Sequence, residues 1–242
     1  MVRWIPFACW LAILCLITGC ASVSVKDVHK SNLAGHTRPV CIYVADFDTK
    51  SGDWKVDRTG TDLATFKRDV NNMVVDAIAE RIDKNITASV HLRPGQTMPA
   101  NGWLLTGRFV RVYQGSRALR MVVGLGAGGT KMETQIVVRD LSSEGAPVVL
   151  STTTTGGSNA EPGAIFNADP FSMAATAVMN SGRGLSEDSI RTARMIVALI
   201  SQYGAEKGWI DPSRAMAPKR EGQFTSKAPP PVTTKSSKEG QR

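Results

Sequence analysis

Histidine, usable cysteine and long apolar runs are all scarce in this chain of 242 residues, and each shortage removes a class of function. The only histidines are His29, His36 and His91, too scattered to form a metal-binding pair or a histidine-centred triad in sequence, so neither a metal nor any other cofactor is expected. Aromatic residues make up 6%, and no basic helix or RNA-binding aromatic motif occurs, so nucleic acid is not an expected partner. The longest apolar run, Trp4 to Ile17, has 14 residues, against roughly 20 for a spanning helix. With 42% hydrophobic and 21% charged residues, the remainder is ordinary for one folded domain with tails.

That short apolar run does have a use. Arg3, the run itself, and then Thr18, Gly19 and Cys20 have the order of a secretory leader covering residues 1–19. Ile17-Thr18-Gly19-Cys20 resembles a bacterial lipobox, which implies that the Cys20 thiol is diacylated, the leader cut, and the new amino terminus acylated. At about 0.8 kcal/mol per buried methylene, one acyl chain binds a bilayer reversibly, whereas three hold it. Ala21 stands where many inner-membrane-retained lipoproteins carry Asp; by resemblance to enterobacterial sorting this implies the periplasmic face of the outer membrane. With Cys9 and Cys15 lost in the leader and Cys20 capped, Cys41 would be alone, and no intramolecular disulfide could form. It falls in the apolar run from Val40 to Phe47 and reads as a small buried hydrophobe.

Residues 20–38 are polar and read as a tether. Residues 214–242 hold Pro218, Pro229, Pro230 and Pro231, with seven basic residues against Glu221 and Glu239, and read as a disordered basic tail. Its charge suits anionic neighbours such as phospholipid, lipopolysaccharide or peptidoglycan carboxylates, or serves solubility alone. Between the tails, residues 39–213 read as one α/β (α+β) domain. Strands are expected at Val40 to Phe47, Ile86 to Leu92, Gly102 to Tyr113, Lys131 to Asp140 and Pro147 to Thr155. A helix capped by Thr61 carries an apolar stripe from Leu63 to Ile82, and a second, capped by Ser186, runs to about Lys207 before Gly208. The order β-α-β-β-β-β-α predicts a single mixed sheet of about five strands with both helices on one face. A long loop, 156–184, interrupts it. The run Ser151 to Thr155 reads as a solvent-facing strand, and Asp46 and Asp48 as turn and cap residues.

Gly124, Gly126 and Gly129 satisfy G-x-G-x-x-G, but a dinucleotide site needs a helix to follow, and here a strand is expected. Gly129-Thr130-Lys131 likewise reverses the order that a phosphate loop requires. The glycines therefore read as a place where strands cross or turn closely. The run Arg120 to Gly129, preceded by Gly107-Arg108-Phe109 and Gly115 and followed by a strand ending in Asp140, resembles an uncharacterised family of bacterial envelope lipoproteins with no established activity. More distantly, the element order over roughly residues 38–207 resembles periplasmic domains of the curli secretion lipoprotein, the Tol-Pal propeller protein and lipoprotein activators of peptidoglycan synthases. The chain is therefore read as a non-catalytic, lipid-anchored outer-membrane domain that binds another envelope component, protein or peptidoglycan. Arg120, Gly124, Gly126, Gly128, Gly129, Phe166 and Phe171 are the expected contact residues. The alternatives are a subunit of an oligomeric outer-membrane secretion pore, which needs alternating lipid-facing hairpins, and an envelope hydrolase, which needs converging carboxylates.

Overall fold

The computed structural model describes residues 22–31, 38–115, 130–157 and 183–220. In chain order these form β1 (Ser22–Lys30), β2 (Ile42–Ala45), β3 (Asp53–Lys55), α1 (Gly60–Asn85), β4 (Ser89–Leu92), β5 (Trp103–Tyr113), β6 (Lys131–Asp140), β7 (Val148–Gly157) and α2 (Arg183–Glu206), followed by a 3-10 turn, Pro212–Arg214. The fold is mixed α+β. Its single sheet has the spatial order β1-β7-β6-β5-β2-β4, with β3 paired to β5 beside β2.

The long strands β5, β6 and β7 form an antiparallel meander, whereas β2, β3 and β4 run parallel to their neighbours. Along β5, one edge is covered in three pieces. β2 pairs with Trp103 to Leu105, a lone bridge joins Asp48 to Arg108, and β3 pairs with Arg111 to Tyr113. Gly107 lies against this break because a Cβ there would stand 2.7 Å from the buried Phe47 ring.

Side-chain alternation sorts the sheet into two faces. Leu105, Phe109, Val112, Met132, Ile136 and Val138 are fully buried under the helices. The partner residues on the opposite face include Arg108 and Gln135, joined by a 2.8 Å hydrogen bond, and Arg111 and Glu133. The helix α1 follows its expected stripe, burying Phe66, Val70, Met73, Val74, Ala77, Ile78 and Ile82. It starts at Gly60 with Thr59 in the capping position, two residues before the expected start, and no side chain caps it.

Four expectations need correction. Ser22–Lys30, read as tether, is an edge strand: Val23 and Val25 alternate with Ser24 and Lys26, and the two valines are buried beside β7. His29 is therefore a strand residue. The tail does not begin at Arg214. The Met216 amide donates to Ser201 Oγ at 3.1 Å, the Val25 amide donates to the Lys219 carbonyl at 2.7 Å, and Arg220 bridges Val25. Ser151 to Thr155 is not solvent-facing, because Thr152 and Thr154 lie on the helix-covered face and are buried. Finally, α2 starts at Arg183, so Ser186 is inside the helix rather than its cap. The end of α2 is as expected: Gly208, at φ +76°, turns the chain, and the Trp209 amide donates back to the Gly204 carbonyl.

Candidate functional site

Topology brings several chain ends to one edge of the molecule. Ser22, the first residue of β1, pairs with Gly157 at the end of β7; Gly156 pairs with Met132; and Lys131, at the start of β6, pairs with Tyr113 at the end of β5. β3 ends beside Tyr113 at Lys55, five residues before α1 begins. α2 also starts here, since Asp188 receives a 2.5 Å hydrogen bond from the Thr130 hydroxyl. Strand ends and both helix amino termini therefore share one end, called here the proximal end. Gly157 is required where β7 leaves it: a Cβ would lie 1.9 Å from the Thr130 carbonyl oxygen.

On the face away from the helices, the proximal end carries a knot of charge around Tyr113. The Tyr113 hydroxyl donates to Asp53 at 2.6 Å, Lys55 Nζ lies 4.5 Å from its ring centroid, and the Arg111 guanidinium lies 5.7 Å away. One strand over, Glu133 is buried between Lys26 at 2.9 Å and Arg111 at 3.2 Å. Two partners on opposite sides offset the cost of desolvating that carboxylate. Lys131, opposite Tyr113, makes no ion pair among the described residues.

Under α2 the proximal end is also polar. Ser186, Asp188, Ser189 and Thr192 on α2 and Thr130, Thr134 and Thr154 on the sheet side are all buried, with Asp188 bonded to Thr130 and Ser189 4.0 Å from the Met132 sulfur. The Thr134 and Thr154 hydroxyls meet at 2.6 Å, whereas Ser186 Oγ and Thr192 Oγ1 find no partner among the described residues.

A second cluster lies on the opposite side of the sheet, across β2 and β4. His91 Nδ1 lies 2.7 Å from Asp76 Oδ1 on α1, and Nε2 lies 2.6 Å from Asp46 Oδ1 after β2. The alternation of β4 placed His91 in the sheet, but nothing in the sequence linked it to residues 45 and 15 positions away. With hydrogens on both nitrogens, the imidazolium can donate to both carboxylates at once. A histidine acting as a base needs one nitrogen turned to substrate, and here both are engaged. The arrangement ties the short edge strand β4 to α1 and β2. Asp48 instead folds its own turn, accepting from the Lys50 amide and the Ser51 hydroxyl, which lower its carboxyl below the ordinary range. Cys41 is half-buried, and that burial pushes its thiol up despite a hydrogen bond with Tyr43 that lowers it, the opposite of an activated thiolate.

Sequence similarity identifies the family. The match runs over residues 42–175, to a signature described as a domain of unknown function, DUF4410. The chain belongs to the DUF4410 family. No curated protein matches it in sequence. Among solved structures, a PelC dodecamer from Paraburkholderia phytofirmans is similar at 12% identity and TM-score 0.35, covering 55% of this chain and 83% of that one. A substituted form of that PelC dodecamer is similar at 14% identity and TM-score 0.37, covering 71% and 96%. An uncharacterised protein is similar at 10% and 0.35, covering 69% and 97%. Likeness at these scores says nothing of what this chain binds. The DUF4410 match starts at the first residue of β2, so β1 and α2, which frame the proximal end, lie outside it.

Cys20, Arg120, Gly124, Gly126, Gly128, Gly129, Phe166 and Phe171 lie outside the described residues, as do residues 221–242. The described chain leaves the proximal end at Gly115 and Gly157 and re-enters it at Thr130 and Arg183. Both segments singled out by sequence thus have their roots together. Among the described residues no group of three His, Cys, Asp or Glu side chains is arranged to hold a metal ion. No described helix is long and apolar enough to cross a membrane.

Proposed function

We propose that this DUF4410 protein is an envelope lipoprotein, fixed to the periplasmic face of the outer membrane through acylated Cys20, whose domain engages a second envelope component without catalysis. The observation that carries the reading is Ile17-Thr18-Gly19-Cys20 at the close of a charged, then apolar, leader. The architecture fits it, because β1 begins two residues after Cys20 and turns the anchored segment into part of the sheet. The engaging surface is the proximal end, where the roots of segments 116–129 and 158–182 converge; Arg120, Gly124, Gly126, Gly128, Gly129, Phe166 and Phe171 remain its proposed contacts.

The test is labelling with radioactive palmitate in cells that make wild type or Cys20→Ala, followed by membrane fractionation. Label and outer-membrane recovery are expected for wild type, and neither for the variant. Equal recovery of both proteins in the soluble fraction would contradict the anchor. For the engaged component, crosslinking in cells is expected to return an envelope protein or glycan for wild type and to lose it on shortening segment 158–182.

A further inference from the structure

We propose that the proximal end of the sheet is a membrane-facing surface, whose cations around Tyr113 bind the anionic phospholipid headgroups of the bilayer that holds the anchor. The inference rests on acylation of Cys20 and names the component that the proximal end engages first.

Reach is the first argument. One residue, Ala21, separates Cys20 from Ser22, and two residue steps extend at most about 7 Å. Ser22 is locked into the sheet opposite Gly157, so the acyl-bearing residue cannot wander from this end. A flexible tether reaching to residue 38 would have left the domain free to turn; an edge strand starting at Ser22 does not. The ten residues of β6 then carry the sheet about 30 Å from its proximal to its distal end. The potential of a charged membrane fades over about 8 Å at physiological salt. Only proximal charges can respond to it.

Charge is the second argument. Lys55, Arg111 and Lys131 stand around Tyr113 and Lys26 reaches Glu133 from β1, against Asp53, Asp57 and Glu133, an excess of one cation. Lys55 is largely exposed, its ammonium 3.9 Å from the likewise exposed Asp53 carboxylate, and Lys131 has no anionic partner among the described residues. Lys219 and Arg220 run beside Val25 in the same part of the sheet. A tyrosine ringed by lysine and arginine suits a headgroup layer, where the ring meets the apolar boundary and the cations meet phosphate. Each such cation changes the partition onto an anionic surface by roughly fivefold.

The experiment uses the full acylated chain, in a Cys41→Ser background, with a fluorophore on Asp57→Cys just beyond β3 or on Glu144→Cys in the β6–β7 turn. Both positions are exposed. The protein is placed in phosphatidylcholine vesicles containing phosphatidylglycerol and a headgroup nitroxide quencher. Strong quenching is expected at position 57 and little at position 144. Lys55→Ala combined with Lys131→Ala is expected to reduce quenching at 57 severalfold, and replacement of phosphatidylglycerol by phosphatidylcholine to do the same. Protein that carries no acyl mass and does not float with the vesicles would overturn the anchor and this orientation together. Protein that floats but is quenched alike at both positions, or more at 144, would overturn the orientation alone. Quenching that favours 57 but ignores both the lysines and the lipid charge would overturn headgroup binding.

Discussion

The two halves of α2 rest on one sheet yet bury different chemistry. Distally, Tyr203 meets Trp103 and Trp209, with ring centroids 5.4 to 5.9 Å apart around the three, and Ile196, Leu199 and Ile200 fill in beside them. Proximally, the same helix covers hydroxyls and the carboxylate of Asp188. The connections differ in the same sense. The distal β6–β7 turn is tight, with the Asp140 carboxylate accepting from the Ser142 amide and the Ser143 hydroxyl. The proximal β5–β6 and β7–α2 connections, residues 114–130 and 158–182, are long. Close-packed aromatic surface gives the distal half its cohesion, whereas the proximal half depends on hydrogen bonds that contribute little net energy yet are costly to break singly. One end thus holds the fold, and the other carries the roots of the long segments and the surface proposed to face the bilayer.

The largest expected effect breaks the distal end. Trp103→Ala should cost about 3–5 kcal/mol through loss of contacts and a residual cavity, read as a lower urea midpoint. Asp188→Ala should cost less, about 2 kcal/mol, because it removes the carboxylate that accepts from the Thr130 hydroxyl and pairs with Arg191. Equal losses for the two variants would remove the distinction between the ends. Thr134→Val alone should cost about 1 kcal/mol by orphaning Thr154, and adding Thr154→Val should restore most of it, since removing both partners is nearly neutral. A double-mutant cycle on urea midpoints checks this.

The smallest effect is a control at Asp48, remote from α2. Its folded carboxyl titrates lower than the ordinary value because of the Ser51 hydroxyl first and the Lys50 amide next. The stabilisation is complete above the unfolded value and disappears as pH falls through the folded one. Asp48→Asn should therefore cost well under 1 kcal/mol at neutral pH, given its exposure, with the gap from wild type closing on acidification below the ordinary carboxylate range. Unfolding curves across pH 2–7 test the sign.

The elements with strong periodicity were legible in advance. The α1 stripe and the Lys131–Asp140 alternation need only one side of each element to be apolar, and the structure uses them that way. β1 was hidden because its alternation lasts only from Ser22 to Lys26 before the register shifts, and two valines among polar residues look like tether composition. β3, three residues long, is too short for any period and exists because β5 offers it a free edge. The buried hydroxyls of β7 escaped for a different reason: the partners of Thr152 and Thr154, Lys26 O and Thr134, are remote in sequence. His91 with Asp46 and Asp76 is the same case, a cluster assembled only by tertiary pairing. Of the proximal end, sequence showed the lipobox-like run Ile17 to Cys20 and the two segments, but not that β1 would bring them together.

The most direct test is the mass of the first peptide of the protein extracted from membranes with detergent. The anchored, proximal-end-down arrangement predicts Cys20 as the first residue, bearing diacylglycerol on sulfur and a further acyl chain on its amine. A first residue elsewhere, or Cys20 with an unmodified thiol, would contradict the anchor and leave the proximal end without a reason to face a bilayer.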